Sequence, residues 1–334
     1  MRFPKIELHV HLEGTVRPGT LLEIARRNEV VLPADTVEGL GSLYAFRDFA
    51  HFIDVWTMTT RALRTERDFR QVVVEYARDA ARCGAVYIEG IFSPAERVKY
   101  GPSWDEVFSG FCDGAQEAGE RFGVEVRLTP DIPRDLEDDP LEGAELTVRY
   151  ASRYRDRGVV GIGLGGLEAE HPPEPFAPAF RRARELGLGS VPHAGEAAAG
   201  VGSVRGALDV LAPDRLRHGI RAVDDPAVVR ELAARRIVLD MCPTSNLRTG
   251  SVPSLAEHPL PRLIDAGVPC SLGTDDPAMF DTDLDREHET ARAMGVDARS
   301  LYDAGIEGAL CDESTKERLR ALADVSEWPA TPTG

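Results

Sequence analysis

Eight short apolar, β-branched runs recur along the chain, each separated from the next by a stretch with helical periodicity. They lie at Ile6–Leu12, Ala85–Phe92, Val124–Ile132, Val159–Gly165, Gly189–His193, Leu216–Ile220, Ile237–Met241 and Pro269–Thr274. Helices are predicted over Phe69–Cys83, Trp104–Phe122, Leu146–Arg157, Pro178–Leu186, Pro226–Arg235 and Leu260–Ala266. Such alternation builds a parallel sheet, because a parallel return needs a crossover long enough to hold a helix. Eight units match an α/β (β/α)8 TIM barrel, the fold class predicted here. An open doubly wound sheet competes with it, but no Gly-x-Gly-x-x-Gly follows the first strand. The glycine-rich segment from Gly161 to Gly166 comes late and opens no obvious helix, so no phosphate cradle is expected there.

The 334 residues are enough for one large domain, predicted over 1–334 with no internal repeat. The first connection, about 13–84, is far longer than an ordinary βα loop and is predicted to be a helical lid insertion. Thr20-Leu21-Leu22-Glu23 reads as a capping box that opens a helix. Phe49, Phe52, Ile53 and Trp56 fall on one helical face. Packing against a barrel accounts for that face. It would also roof the barrel mouth, which makes Phe49 and Phe52 candidate substrate contacts. Residues 277–334 are predicted to form C-terminal helices and a polar tail.

Charge and cysteines narrow the partners. A formal net charge of −17 argues against a nucleic-acid backbone or an anionic membrane surface and is the mark of a solvated acidic exterior. The five cysteines are scattered and include no Cys-x-x-Cys, which fits reduced thiols. No signal peptide is recognised and no apolar run reaches membrane-spanning length, so a cytoplasmic location is expected. Homo-oligomerisation is left open.

The polar residues that carry chemistry sit at strand ends. His9 and His11 are two apart in a predicted strand, so both imidazoles face one place, where a divalent metal would satisfy them. The fifth strand runs into His193-Ala194-Gly195-Glu196, the sixth into His218-Gly219, the seventh into Cys242-Pro243-Thr244-Ser245-Asn246 and the eighth into Asp275-Asp276-Pro277. In a barrel these ends share one rim. Singly, each has an ordinary explanation, such as an N-cap for either aspartate or a core hydrogen bond for His218. Four coincidences at one rim point to a site. His9, His11, His193 and Asp275 are assigned as ligands of one zinc per chain, with a position open for a water whose pKa falls to about 7. Glu196 suits a general acid, and His218 suits a base or an orienter of the water. Asp276 is placed to accept hydrogen bonds from substrate or attacking water.

These residues, as Leu8-His9-Val10-His11-Leu12-Glu13-Gly14, His193-Ala194-Gly195-Glu196, His218-Gly219, Cys242-Pro243-x-Ser245-Asn246 and Thr274-Asp275-Asp276-Pro277, resemble the adenosine and adenine deaminases of the amidohydrolase superfamily. The resemblance covers nearly the whole chain in the same order. It implies a barrel with one zinc that releases ammonia from position 6 of an aminopurine. In that scheme Glu196 protonates ring N1, the activated water attacks C6 with help from His218, and Asp276 holds the attacking oxygen or ring N7. Glu13 stands where nucleoside deaminases usually carry the Asp that contacts the 5′-hydroxyl, and where free-adenine deaminases commonly carry Glu. Gly166 stands where the family offers its backbone to purine N3, although the acid that usually follows is Leu167 here. That segment and Phe46–Asp54 look closest to bacterial aminodeoxyfutalosine deaminases.

The expected substrate is therefore a 6-aminopurine nucleoside, adenosine or a 5′-modified relative, with free adenine the close alternative. A second metal bridged by a carboxylated lysine is not expected, because the fourth strand contains no lysine. The unrelated zinc deaminases join His-x-Glu to Pro-Cys-x-x-Cys, and without the cysteine motif that solution is set aside. An amidohydrolase for amides, lactones or phosphoesters is disfavoured by Glu196, which suits protonation of a ring nitrogen. A catalytically silent nucleoside-binding protein would be expected to have lost a ligand or the acid.

Overall fold

In a computed structural model that describes residues 3–136, 139–196 and 200–330, the apolar runs become parallel strands. They are β1 (Lys5–His11), β2 (Ala85–Phe92), β3 (Glu125–Pro133), β4 (Gly161–Gly165), β5 (Gly189–Ser190), β6 (His193–Ala194), β7 (Arg215–His218), β8 (Val238–Met241) and β9 (Cys270–Leu272). The ladder runs β1-β2-β3-β4-β5 and β6-β7-β8-β9. β5 and β6 are one predicted strand interrupted at Val191-Pro192, where proline has no N–H to give. Its carbonyl still accepts from Arg217 N–H (3.0 Å), and Val191 N–H still reaches Ile162 (2.9 Å). Beyond β9 the chain returns to β1: Asp275 N–H donates to the His9 carbonyl (3.1 Å) and His11 N–H to the Asp275 carbonyl (2.7 Å). Eight parallel staves with intervening helices make the (β/α)8 barrel.

β1 is buried on both faces for two different reasons. Ile6 and Leu8 pack outward on Tyr302 and Ile306 of the helix Ala298–Gly308. The alternate residues Glu7, His9 and His11 belong to the opposite face of the pleat, and the two histidines meet the site residues of other strands. The interior is held by charge as well as by apolar contact. Arg215, completely buried, pairs with Glu89 (2.7 Å) and Asp240 (2.7 Å) and donates to the carbonyls of Leu8 and Gly308. Buried ions are tolerated only when paired and hydrogen-bonded in this way.

The insertion after β1 holds α1 (Pro18–Arg27), α2 (Val37–Leu43), α3 (Phe49–Thr60) and α4 (Glu66–Arg82). Only part of it is a roof. α4 packs against the helix Trp104–Phe122 as an ordinary outer helix of the barrel. α3 buries Phe52, Val55 and Trp56 together with Met279 and Phe280, on the segment that leaves β9.

Two expectations need correction. Thr20 does not cap α1: the helix begins at Pro18, whose fixed φ suits the first turn, and the Thr20 hydroxyl donates to Glu75 (2.9 Å). Capping boxes occur instead at Thr65/Asp68 and Ser103/Glu106. The helix predicted at Leu146 starts at Pro140, where Asp139 accepts the N–H groups of Leu141 and Glu142 (both 3.0 Å), and it ends at Arg153. The last residues of the predicted tail, 331–334, lie outside the described residues. No helix among the described residues is long and apolar enough to cross a membrane, and the five cysteines are unbridged.

Candidate active site

His9 and His11 bring β1 to the mouth of the barrel, His193 comes from β6, and Asp275 follows β9. Their inward atoms converge. His11 Nε2 and His193 Nε2 are 3.2 Å apart, and Asp275 Oδ1 is 3.4 Å from His9 Nε2 and 3.3 Å from His11 Nε2. His9 Nε2 is buried and has no hydrogen-bond partner among the described residues. The outward nitrogens are anchored: His193 Nδ1 lies 3.1 Å from the Leu164 carbonyl and His9 Nδ1 3.4 Å from that of Asp240. Burial, ahead of neighbouring positive charge, lowers the pKa of His9 and His193 well below the usual histidine value. Burial likewise takes His11 down to about 3, against the opposing pull of Asp275. Neutral imidazoles with one nitrogen tied back and the other free suit a divalent cation, and the buried unpartnered His9 Nε2 fits that purpose.

The remaining predicted groups stand around this cluster. His218, at the end of β7, has Nε2 3.4 Å from Glu196 Oε2 and 3.8 Å from Asp275 Oδ2. Burial, with the charges of Asp275 and Glu168 adding to it, raises the Glu196 carboxyl well above its ordinary range. A carboxyl whose protonated form is favoured in this way can give a proton. Asp276 is pushed up for similar reasons, by burial and by Asp275. It accepts the indole N–H of Trp56 at 2.9 Å, which binds the α3 roof to the site. His218 (φ 60°) and Asp275 (φ 63°) both hold left-handed backbone, a costly conformation in non-glycine residues and one concentrated at functional sites.

These groups line one cavity. Its floor is His11, His193, Glu196, His218, Asp275 and Asp276, and its roof is Phe49, Phe52, Ile53 and Trp56. Polar groups on its wall include Ser93, Glu96 and Asp135. Gly166 also lines it, at φ +100°, and an added Cβ there would lie 2.4 Å from Asp135 Oδ1. Glu13 lies behind the wall: fully buried, it accepts the Ser93 N–H at 2.8 Å with Arg97 nearby at 4.0 Å. Glu13 therefore meets the cavity indirectly, through Ser93 and through its charge on Asp276.

Several residues were given no role from the sequence. Asp131, at the end of β3, lines the cavity, pairs with the buried Arg217 and sits 3.4 Å from His193 Nδ1. It is a polar residue at a strand end, the signal that found the others. Ser245 donates to Asp275 Oδ2 at 2.6 Å. Glu168 accepts the N–H groups of Gly195 (2.7 Å) and Glu196 (3.1 Å), and so holds the loop that presents Glu196.

Comparison with known proteins agrees with this geometry. The adenosine deaminase family matches residues 4–326. An aminodeoxyfutalosine deaminase of Acidothermus cellulolyticus is 56% identical over 98% of this chain and 93% of its own length. Among solved structures, an adenine deaminase from Arthrobacter aurescens superposes with a TM-score of 0.90 at 30% identity, covering 96% of this chain and 98% of the other. A zinc-bound amidohydrolase from Burkholderia ambifaria gives 0.86 at 29% identity, covering 96% and 90%.

Proposed function

The chain belongs to the adenosine deaminase family, and from that premise we propose that its substrate is a 6-aminopurine nucleoside, adenosine or a 5′-modified relative such as aminodeoxyfutalosine. It is a hydrolase that deaminates adenine-type substrates, and amidohydrolase-type deaminases of this kind depend on a metal. The nucleoside reading is carried by the polarity of the cavity wall. A purine reaching the floor would leave Ser93, Glu96 and Asp135 facing what is attached to it. Hydroxyls of a ribose can hydrogen-bond to such groups, whereas a free base offers them no partner beyond the ring.

Roles follow from placement. His9, His11, His193 and Asp275 would hold one zinc ion per chain. When bound, that ion supplies a Lewis acid that makes water nucleophilic near neutral pH. Glu196 delivers its proton to ring N1, which draws electron density from C6 and opens that carbon to water. His218 orients the water, and Asp276 accepts a hydrogen bond from it or meets ring N7. The C6–N bond breaks as the amine takes one proton of the attacking water and leaves as ammonia; the other water proton restores Glu196, and the 6-oxo purine keeps the first proton on N1. The Gly166 backbone faces purine N3, while Phe49 and Phe52 keep bulk water out. We read the whole chain as a single deaminase domain that acts on a small molecule in the cytoplasm rather than on nucleic acid or at a membrane.

Free adenine is the second reading, favoured by the similarity to the Arthrobacter aurescens adenine deaminase and by glutamate at position 13. Ammonia release from adenine, adenosine, its 5′-deoxy and 5′-thio analogues and aminodeoxyfutalosine decides between them. A nucleoside is expected to exceed adenine in kcat/KM by at least about tenfold, roughly 1.4 kcal/mol of transition-state binding. Adenine equalling the best nucleoside would overturn the nucleoside reading.

A further inference from the structure

Behind His218 a short chain of hydrogen bonds has only one direction in which it can run. The Leu260 N–H, at the start of the helix Leu260–Asp265, meets His258 Nδ1 at 3.2 Å. A main-chain N–H can only donate, so this nitrogen carries no hydrogen, and neutral His258 carries its hydrogen on Nε2. That hydrogen reaches Asn246 Oδ1 at 3.1 Å. The amide is thereby oriented, and its Nδ2 faces His218 Nδ1 at 3.2 Å. An amide NH2 can only donate, so His218 Nδ1 is an acceptor, and neutral His218 carries its hydrogen on Nε2, the nitrogen that faces Glu196 and Asp275. Asn246 is fully buried, and His218 and His258 nearly so, which removes water as a competing partner. Burial also lowers the pKa of His258 to about 4, consistent with a neutral ring.

We infer that His258 and Asn246 are positioning residues that set the tautomer of His218, so that its Nε2–H meets the attacking water as a donor and not as a base. Neither residue reaches the cavity wall; both act through the ring they orient. Of the two roles open to His218 from its chemistry, base or orienter, this connectivity selects the orienter. The inference rests on the proposed role of His218 in deamination, whereas its principal readout does not depend on turnover.

Long-range proton–nitrogen NMR correlation on the full chain labelled with 15N-histidine reads the tautomer directly, His218 being assigned by its loss in His218→Asn. The expected pattern is a pyridine-like Nδ1 and a pyrrole-like Nε2 for His218, and the reverse pattern overturns the inference. Asn246→Asp presents only acceptors to His218 and is expected to reverse that pattern. It should lower kcat on the order of 10²-fold or more, with KM and metal content little changed, as loss of an imidazole's orienting partner does elsewhere. His258→Leu should lower kcat in the same direction, and His258→Gln, which keeps an amide donor for Asn246, should recover most of the loss. Wild-type turnover in Asn246→Asp with an unmoved His218 pattern would also overturn it. A correct tautomer in a chain that deaminates no aminopurine would instead strike the proposed function.

Discussion

Asp275 joins fold and chemistry in one residue. Its backbone completes the ladder between the last strand and β1, while its carboxylate meets His9 and His11. Asp275→Asn preserves shape but removes the anionic ligand proposed for the metal, so metal affinity should fall at least about tenfold, which elemental analysis after dialysis would read. Unchanged metal content would remove Asp275 from the ligand set. Glu196 answers to a different measurement. Glu196→Gln cannot give a proton, and kcat should fall on the order of 10²–10⁴-fold with metal retained. Near-normal kcat would mean that another group protonates the ring. Each of these residues was legible in the sequence because each is a titratable side chain at a strand end. Ser245 and Glu168 were harder to read, since their importance lies in the partner that each one meets.

Among the elements, α3 shows how a helix can be foreseen while its function is not. The spacing of Phe49, Phe52, Ile53 and Trp56 predicts an apolar face, and that face forms the cavity roof. Nothing in the spacing indicates that the Trp56 indole ends on Asp276, since an apolar stripe scores tryptophan by its ring alone. Trp56→Phe keeps an aromatic ring among Phe52, Met279 and Phe280 but deletes the donor. The expected result is a loss of about tenfold in kcat, roughly one hydrogen bond, with a melting temperature that moves by only a few degrees. A variant with full kcat would show that the tether is dispensable. The misread start of α1 has a related cause: Thr20 matched a capping pattern, but Pro18 two residues earlier had already fixed the helical φ.

Across the molecule, the barrel accepts many buried charges, and one of them makes stability depend on pH. Glu287 is fully buried, accepts the Thr244 N–H and the Thr282 hydroxyl, and has its pKa raised by burial to about 7 from 4.5. Below about pH 4.5 it is protonated folded or unfolded and contributes no slope. Between about 4.5 and 7 the unfolded chain releases the proton while the folded chain holds it, so rising pH favours unfolding. The effect amounts to a few kcal/mol at most. Urea denaturation of Glu287→Gln across this window should show a shallower fall in stability with pH than the parent. An identical slope in both proteins would place the ionisation cost elsewhere.

What the chain determined by itself was local. Strand alternation with helices, the two histidines facing one side, and the polar residues at strand ends all follow from side-chain periodicity over a few positions, and they suffice for a barrel with a metal-ready rim. Only the closed ring of strands decided which distant residues touch. Trp56 lies 220 positions from Asp276, Arg217 lies 86 from Asp131, and Asn246 lies 28 from His218. Hydrogen-bond direction depends on such pairings, because whether a ring nitrogen carries a hydrogen is set by the donor or acceptor brought against it. No single stretch of sequence contains both members.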